Sequence, residues 1–440
     1  MVLLKLKRIN FIKKIASKVY SQIPDNNRFS SIFLIKRFVL HLILICIIGL
    51  FALPISKIDG LNPLTHAFKD LTFSDIYFSR IRNGSIADTS SSQIIIVNIG
   101  RNGRVETRKN LSNFLNRINQ NPNTRPKTIG IDILFKSNSK DSLVDENLSK
   151  SLKSNNIVSI CNVKELTINS KTVLVKDPSI KKFSNQNSPG YANQWLEPDR
   201  PKTERYFKPK CKLKNGYVDH ITLSIIENYN EKIYKNFLQN KNLEEPYLIN
   251  FRGKYNSTNK LSISDTINLE ILKDKILLIG LYENDSYGNP IYTEDTHWVP
   301  TNKNYFGRSD RNMYGIEIQA HIIASIINND FISHNILFNN IFQFFISLLI
   351  YLLMLRFYLK NKTKYVFIKL FMQIFIVIFL IILSIFQIHW FNLYLDYTFI
   401  TICAFISAEI ISIIELILNK YYLRVKAFIT NRFSKSEVQH

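Results

Sequence analysis

Three carboxylates and one imidazole have the best claim to chemistry in this chain. Asp132, Asp295, His297 and Glu317 each fall at the end of an apolar run or in a turn beside one. Ligands of parallel sheets bind outside the carboxyl ends of the strands, and that is where these four would meet. Together they suit a cation, a cationic ligand or an amine. The competing reading is structural, with Asp132 capping a turn and Glu317 paired with a surface base. Trp195, Tyr191 and Tyr206 fit an aromatic pocket, although aromatic residues in a sheet domain are more often core. Catalysis is not expected. The patterns C-x-x-C, H-E-x-x-H and G-x-S-x-G are all absent, so no metal centre and no nucleophile elbow is implied. After Gly280 there is no second glycine and no Lys-Ser/Thr pair, which excludes a phosphate loop and leaves no cofactor to expect.

The elements that must hold these residues alternate. Ile94 to Ile99 is a continuous apolar run, the mark of a strand buried on both faces. Leu111, Phe114, Leu115 and Ile118 follow at helical spacing, then a second apolar strand over 128–135. Asp145, Leu148 and Leu152 mark another helix, and Ile157 to Ile160 a third strand. Pro246 to Phe251 and Lys275 to Gly280 read as further strands, and a helix from about Ile316 to Asn329 closes the set. This alternation predicts an α/β domain with a mainly parallel central sheet flanked by helices.

Four longer apolar stretches bracket that domain, at 38–55, 336–358, 366–388 and 397–418, each about the length that crosses a bilayer core. They divide the chain into a basic segment (1–37), an anchor, a large domain (56–335), three more spans and a tail (419–440). Lys5, Lys7, Arg8 and six further basic residues precede the first stretch, against one acid, Asp25. Arg356, Lys360, Lys362, Lys364 and Lys369 cluster between the second and third, and five more basic residues follow the fourth. The positive-inside rule then places both termini in the cytoplasm and the large domain outside, with the 389–396 loop. Ile9, Ile12, Ala16, Val19 and Ile23 recur at helical spacing among lysines, as in a basic helix on the inner leaflet or a plain topogenic leader. A net charge of +23 need not mean nucleic acid, because 19 of the 57 basic residues flank the spans, where anionic lipid is the partner.

Polar groups inside the spans are costly unless paired. Glu409 falls near the middle of the fourth, at a depth Gln373 and Ser347 share; Glu415 lies nearer the basic end, within range of Arg356 or Lys369. They fit either helix-packing contacts or a proton- or signal-coupled switch. Cys46 and Cys403 sit in spans, while Cys161 and Cys211 are the two in the large domain. An oxidising compartment would let that pair form a disulfide; two buried free thiols are the alternative.

The ordered motifs resemble the CHASE2 family of extracellular sensory domains. They are the strand Ile94–Gly100, then Gly130, Asp132 and Phe135, then Asp145 and Leu148. Gly190, Tyr191, Asn193, Asp199 and Arg205 follow, then the strand Lys275–Gly280, then Asp295, His297 and Pro300, and the closing Gly315, Ile316, Glu317, Ile318 and Ala320. The order fits over about 75–330. Asn98 and Gly100 replace the family's acidic pair, Gly103, Arg104 and Arg108 are what remains of its tryptophan-rich turn, and Gln319 stands where His is frequent.

The resemblance implies a multi-pass protein of the bacterial cytoplasmic membrane, with its domain in the periplasm. Family members usually continue into a kinase or cyclase; here about 22 residues follow Leu418, too few to bury a core. The expectation is therefore a sensor without an output domain, acting through a separate cytoplasmic protein and open to homo-oligomerisation. The competing class is an assembly subunit of an envelope, secretion or transport complex. A polar pocket at Asp132 and Asp295 would favour sensing, and a flat apolar patch there would favour assembly.

Overall fold

The structure, a computed structural model, describes residues 73–82, 91–168, 171–184, 189–192, 203–252, 260–265, 268–285, 290–301, 311–333 and 336–395, together with 39, 397, 400, 401, 404 and 408–416. The basic segment and its amphipathic pattern, nearly all of the first apolar stretch, and the tail lie outside the described residues. The chain divides into two compact units. One comprises His66–His334 with Ser384–Leu395, the other Met1–Thr65, Asn335–Leu383 and Asp396–His440.

In the first unit the strands are β1 (Ile94–Asn98), β2 (Thr128–Ile131), β3 (Ile157–Ile168), β4 (Lys171–Pro178), β5 (Gly190–Tyr191), β6 (Tyr206–Phe207), β7 (Lys210–Leu213), β8 (Gly216–Asp219), β9 (Tyr247–Leu248), β10 (Lys260–Ser262), β11 (Ile276–Gly280), β12 (Thr296–His297) and β13 (Met313–Tyr314). The helices are α1 (Arg104–Gln120), α2 (Ser142–Ser151), α3 (Ile221–Tyr229), α4 (Glu231–Asn240) and α5 (Gly315–Asn328). The main sheet runs β10-β1-β11-β2-β3-β4, parallel from β10 to β3, with the β3–β4 pair antiparallel and β5 added on β3.

The mainly parallel sheet is thus present, but its order departs from simple succession. The late strand β11 inserts between β1 and β2, in register with both, Leu278 lying between Ile96 and Gly130. Its five residues, Ile-Leu-Leu-Ile-Gly, are buried on both faces, which only a central position allows. The expected strand at 246–251 shrinks to β9 and leaves the sheet to pair with β6. The expected third strand is longer, because β3 runs on into a hairpin with β4.

Alternation along each strand splits the core in two. Val97, Ile129, Ile131, Leu277 and Ile279 face α1 and α2, meeting Leu111, Phe114, Leu115, Leu148 and Leu152. Ile94, Ile96, Val158 and Leu278 face α3 and α5, meeting Ile225, Ile316 and Ile323. The result is helices on both faces of one sheet. Gly190 is required by packing: a Cβ there would sit 2.4 Å from the backbone Cα of Ile221.

The same core contains residues from far along the chain. Ile388 and Tyr394 belong to it. The Ser333 N–H donates to Asn392 O at 2.7 Å, and the Tyr394 N–H to Ser333 O at 2.9 Å, so 392–394 is stitched to the residues that follow α5. The ring of His389 meets Tyr77 edge-on at 6.2 Å. The domain boundary expected at 335 is therefore incomplete, since the domain also takes in 384–395.

Two helices are long and apolar enough to cross a membrane, α6 (Ile336–Lys360) and α7 (Lys362–Phe391), joined at Asn361; the second unit holds α6 and residues 362–383 of α7. They correspond to the second and third expected spans, each running a little further than the apolar pattern. Their apolar side chains point outward: Phe367, Phe371 and Phe375 are 73, 73 and 70% exposed. A soluble core helix would hide these. Thirty residues make α7 about 45 Å long, more than a bilayer core of about 30 Å requires. The excess supplies the 384–391 turns, of which Ser384 and Ile388 are buried. Of the fourth expected span, residues 408–416 are described, and they are helical.

Candidate functional site

Asp132 leaves the carboxyl end of β2, where its N–H is held by Ile279 O at 2.8 Å. Its Oδ2 accepts a hydrogen bond from Gln319 Nε2 on α5, at 2.9 Å. Gly280, at the end of β11, makes this closeness possible, because a Cβ there would lie 2.8 Å from Ile316 Cδ1 and 3.2 Å from Asp132 Cβ. The first turn of α5 therefore sits directly over the ends of two central strands.

Asp295 comes to the same place from the loop ahead of β12. Its φ of 58° is left-handed, a conformation uncommon outside glycine, and two contacts hold it. Asp295 O accepts the Gly315 N–H at 3.0 Å, and its carboxylate lies over Gly315, whose missing side chain leaves room for it. That puts a negative charge at the start of a 14-residue helix, where the helix dipole favours it. His297, on β12, stands between two acids, Nε2 at 3.8 Å from Asp295 and Nδ1 at 3.8 Å from Glu204.

The electrostatics of the cluster converge on Asp132. Burial, reinforced by the negative charge of Asp295, pushes its carboxyl up to about 7, against the smaller opposing pull of Gln319 and His297. Three of the four expected residues thus form one cluster, and Glu317 does not join them. Two positions from Gln319 on α5, it is turned elsewhere: it accepts the Tyr314 N–H at 3.3 Å and lies 3.9 Å from Lys260 Nζ. It holds the helix start, and its nearness to Lys260 is the pairing with a base that the structural alternative offered. Sequence reasoning missed Glu204 and undervalued Gln319. The latter's signal was present, in a polar residue where the family frequently has His.

Other motif residues form framework. Arg108 donates to Asp145 at 2.6 Å and to Ser137 O, with its guanidinium on the Phe135 and Phe183 rings. Arg205 donates twice to Asp75. Asn98, standing where an acid was expected, accepts from the N–H groups of Gly100 and Tyr282 and so ties β1 to β11. Tyr191 is core rather than pocket: it is buried, its hydroxyl donates to Lys208 O and its ring meets His220 edge-on. Tyr206 is half-buried on β6, and Trp195 lies outside the described residues.

The expected disulfide is not formed. Cys161 and Cys211 are both free thiols on one small apolar cluster with Val163, Tyr191 and Val218. They reach it from different sheets, β3 and the β7–β8 hairpin, and Cys161 spends its proton on Pro189 O, 3.6 Å away. Burial pushes the Cys161 thiol up to about 11, so it stays neutral. In the second unit, Glu409 meets neither Gln373 nor Ser347. Its carboxylate takes both of its bonds, at 2.7 and 2.8 Å, from Lys369 Nζ, since the long lysine reaches where the shorter side chains do not. Gln373 and Glu415 are buried. A cleft of about 500 Å³ lies between Gly103–Glu106 and Asn138–Lys140, and none of the four expected residues lines it.

The class is a mostly parallel α/β domain followed by two apolar helices long enough to cross a membrane. Within that class the chain belongs to the CHASE2 domain family, the family model matching residues 42–357. The match extends beyond the motif-bearing 75–330 on both sides and ends inside α6. CHASE2 domains are extracellular sensory domains. No curated protein and no solved structure matches the chain.

Proposed function

We propose that this chain is a multi-pass sensory and signal-relay protein of a bacterial cytoplasmic membrane. Its domain faces the periplasm and its signal is read by a separate cytoplasmic protein. The Asp132–Asp295–His297 cluster is the sensing end, and its acidity suits a cationic ligand. Binding there neutralises charge against the first turn of α5, and α5 carries the change toward α6.

One observation carries this reading: the residues that follow α5 in the chain, just before α6, and those that follow α7 are held together within the domain. Arg252 clamps the residues just after α5, binding both carboxylate oxygens of Asp330 and donating to Ser325 Oγ at 3.1 Å. Phe331 is packed among Phe207, Phe237 and Tyr247. Ser333 then binds 392–394, just past the end of α7. The basic residues Lys360, Lys362 and Lys364 flank the Asn361 turn between α6 and α7, which suits a cytoplasmic loop.

Gentle solubilisation from the native membrane, followed by mass spectrometry of the proteins that co-purify, tests the proposal. Recovery of a kinase, cyclase or regulator supports a split receptor. Recovery of envelope or secretion components alone sinks it and makes the chain an assembly subunit.

A further inference from the structure

We propose that Phe386, Trp390 and Phe391, in the last turns of α7, form a lipid-binding patch that seats the domain on the headgroup layer at its side of the bilayer. The inference rests on the reading of α7 as a membrane span, and it adds where the domain meets lipid and through which side chains.

Residues 384–395 belong to the compact unit of the domain. One side of this segment is core. Ile388 and Tyr394 are buried in it, and Ile385 packs against it. The other side is bare. Phe386, Trp390 and Phe391 are 48, 69 and 66% exposed, and their rings gather, Phe386 lying 6.4 Å from Trp390 and 5.8 Å from Phe391. A singly exposed apolar residue is ordinary on a protein surface, whereas a contiguous aromatic patch marks a contact.

The helix itself says what covers the patch. Between Lys369 and His389, residues 370–388 carry no ionisable group. In a helix they rise about 28 Å, close to the thickness of a bilayer core. A core that begins after Lys369 therefore ends at His389 and Trp390. Phe371, Phe375, Phe379, Ile382, Phe386 and Trp390 are all exposed. They stand three or four residues apart, which puts them on one side of the helix. The side turned to lipid within the span thus runs into the patch without a break. The helix also stops here. Asn392 has a left-handed φ of 47°, and its carbonyl accepts the Ser333 N–H at 2.7 Å. Lipid-exposed irregular backbone is not tolerated in hydrocarbon, so Asn392 lies outside the core and Trp390 within a turn of its edge. Tryptophan, an apolar ring system with one N–H, is enriched at that level. A second copy or the first apolar stretch would also hide aromatic rings, but neither accounts for a charge-free length that matches the bilayer and ends at the patch.

The test uses the full chain in phosphatidylcholine vesicles, with Trp195→Phe and Trp298→Phe leaving Trp390 as the single tryptophan. The vesicles contain phospholipid brominated either near the glycerol end or near the methyl end of its acyl chain, and iodide is added to the water. Bromine at the glycerol end should quench Trp390 about twofold more than bromine at the methyl end, as for a ring at headgroup level. A second chain, with Phe379→Trp and Trp390→Phe in the same background, is the mid-bilayer reference and should show the reverse order. If the reference is quenched by lipid and Trp390 by iodide alone, the patch faces water, and the seat is overturned while the span stands. Protection of Trp390 from iodide and from both lipids would mean that protein covers the patch, and stronger quenching from the methyl end would place it deep in hydrocarbon; each overturns the seat. If bromine quenches neither position, the reading of α7 as a span fails, and the seat falls with it.

Discussion

The domain buries carboxylates in two ways, and the contrast separates framework from site. Asp75, Asp145 and Asp330 each meet a guanidinium, from Arg205, Arg108 and Arg252. Asp132 meets an amide, and its nearest charged company is another carboxylate and an imidazole. For Asp145, burial works to raise the carboxyl, but bonds from Arg108 and from the Ser139 N–H outweigh it and hold it below the usual range. For Asp132 nothing outweighs burial. A carboxylate neutralised by arginine is indifferent to its surroundings, whereas one left to a neutral partner must respond to protons or cations.

The largest effect expected from this contrast lies in the framework. Asp75→Ala leaves Arg205, 2% exposed, without its carboxylate, and breaking such a pair costs about 3–5 kcal/mol. Thermal unfolding of the detergent-solubilised chain reads it. The double variant Asp75→Leu with Arg205→Met should recover most of the loss, because an apolar pair of similar volume leaves no buried charge. A single variant that loses less than about 1 kcal/mol would erase the distinction between the two regions.

Second is a histidine on the framework side. His220 caps α3 by accepting the Thr222 N–H and is buried against Tyr191 and Phe207. Burial pushes its imidazole down to about 3 from 6.5. Below 6.5 the unfolded chain takes up a proton that the folded chain refuses, so this contribution to stability is lost as pH falls toward 3. At pH 5 the loss is about 2 kcal/mol, and His220→Gln should remove that slope from the melting profile.

How much of this was legible beforehand follows from the physics of each part. The apolar runs of β1, β2 and β11 and the helical spacing of Leu111, Phe114 and Leu115 are local signals, and they revealed both the elements and the fold class. The place of β11 between β1 and β2 was not local, since a doubly buried strand reads the same in any central position. The role of 384–395 was hidden for a related reason: Ile388 and Tyr394 look like the end of an apolar span, and only the length of α7 betrays the surplus. Asp132, Asp295 and His297 were singled out because acids at strand ends are rare among apolar residues. Glu317 was misjudged because position on a helix does not tell which neighbour a side chain will meet. The lone cysteine pair suggested a bond that the separate approaches of β3 and β7 do not make.

Third, Asp132→Asn should reverse the usual sign of a buried-site substitution. The folded carboxyl titrates near 7 and the unfolded one near 3.8, so its contribution to stability is complete below 3.8 and is lost as pH rises through 7. The variant should match the parent at pH 4 and exceed it at pH 8 by about 1–2 kcal/mol, a figure reduced from the full shift because the site is partly open to water. Melting temperatures at the two pH values check it. Equal losses at both would make Asp132 one more framework carboxylate.

The smallest effect sharpens the comparison most, because it sets stability and titration apart at one pair. Arg101 and Glu294 bond at 2.7 Å with side chains 53% and 61% exposed, and such surface pairs contribute about 0–1 kcal/mol. Arg101→Gln should therefore leave the melting temperature almost unchanged. Yet Glu294 is the residue before Asp295, and Arg101→Gln leaves that stretch of the loop more negative. The midpoint at which the Asp132 contribution to stability is lost should rise by a few tenths of a pH unit in dilute buffer. In 1 M salt, where charges are screened within about 3 Å, the rise should disappear. A guanidinium removed from Asp75 or Asp145 would show the opposite pattern, with a large loss of stability and no salt-dependent midpoint. If Arg101→Gln lowers the melting temperature while the midpoint stays still, the charges around Asp132 are a matter of packing, and the acidic cluster loses its claim to respond to its surroundings.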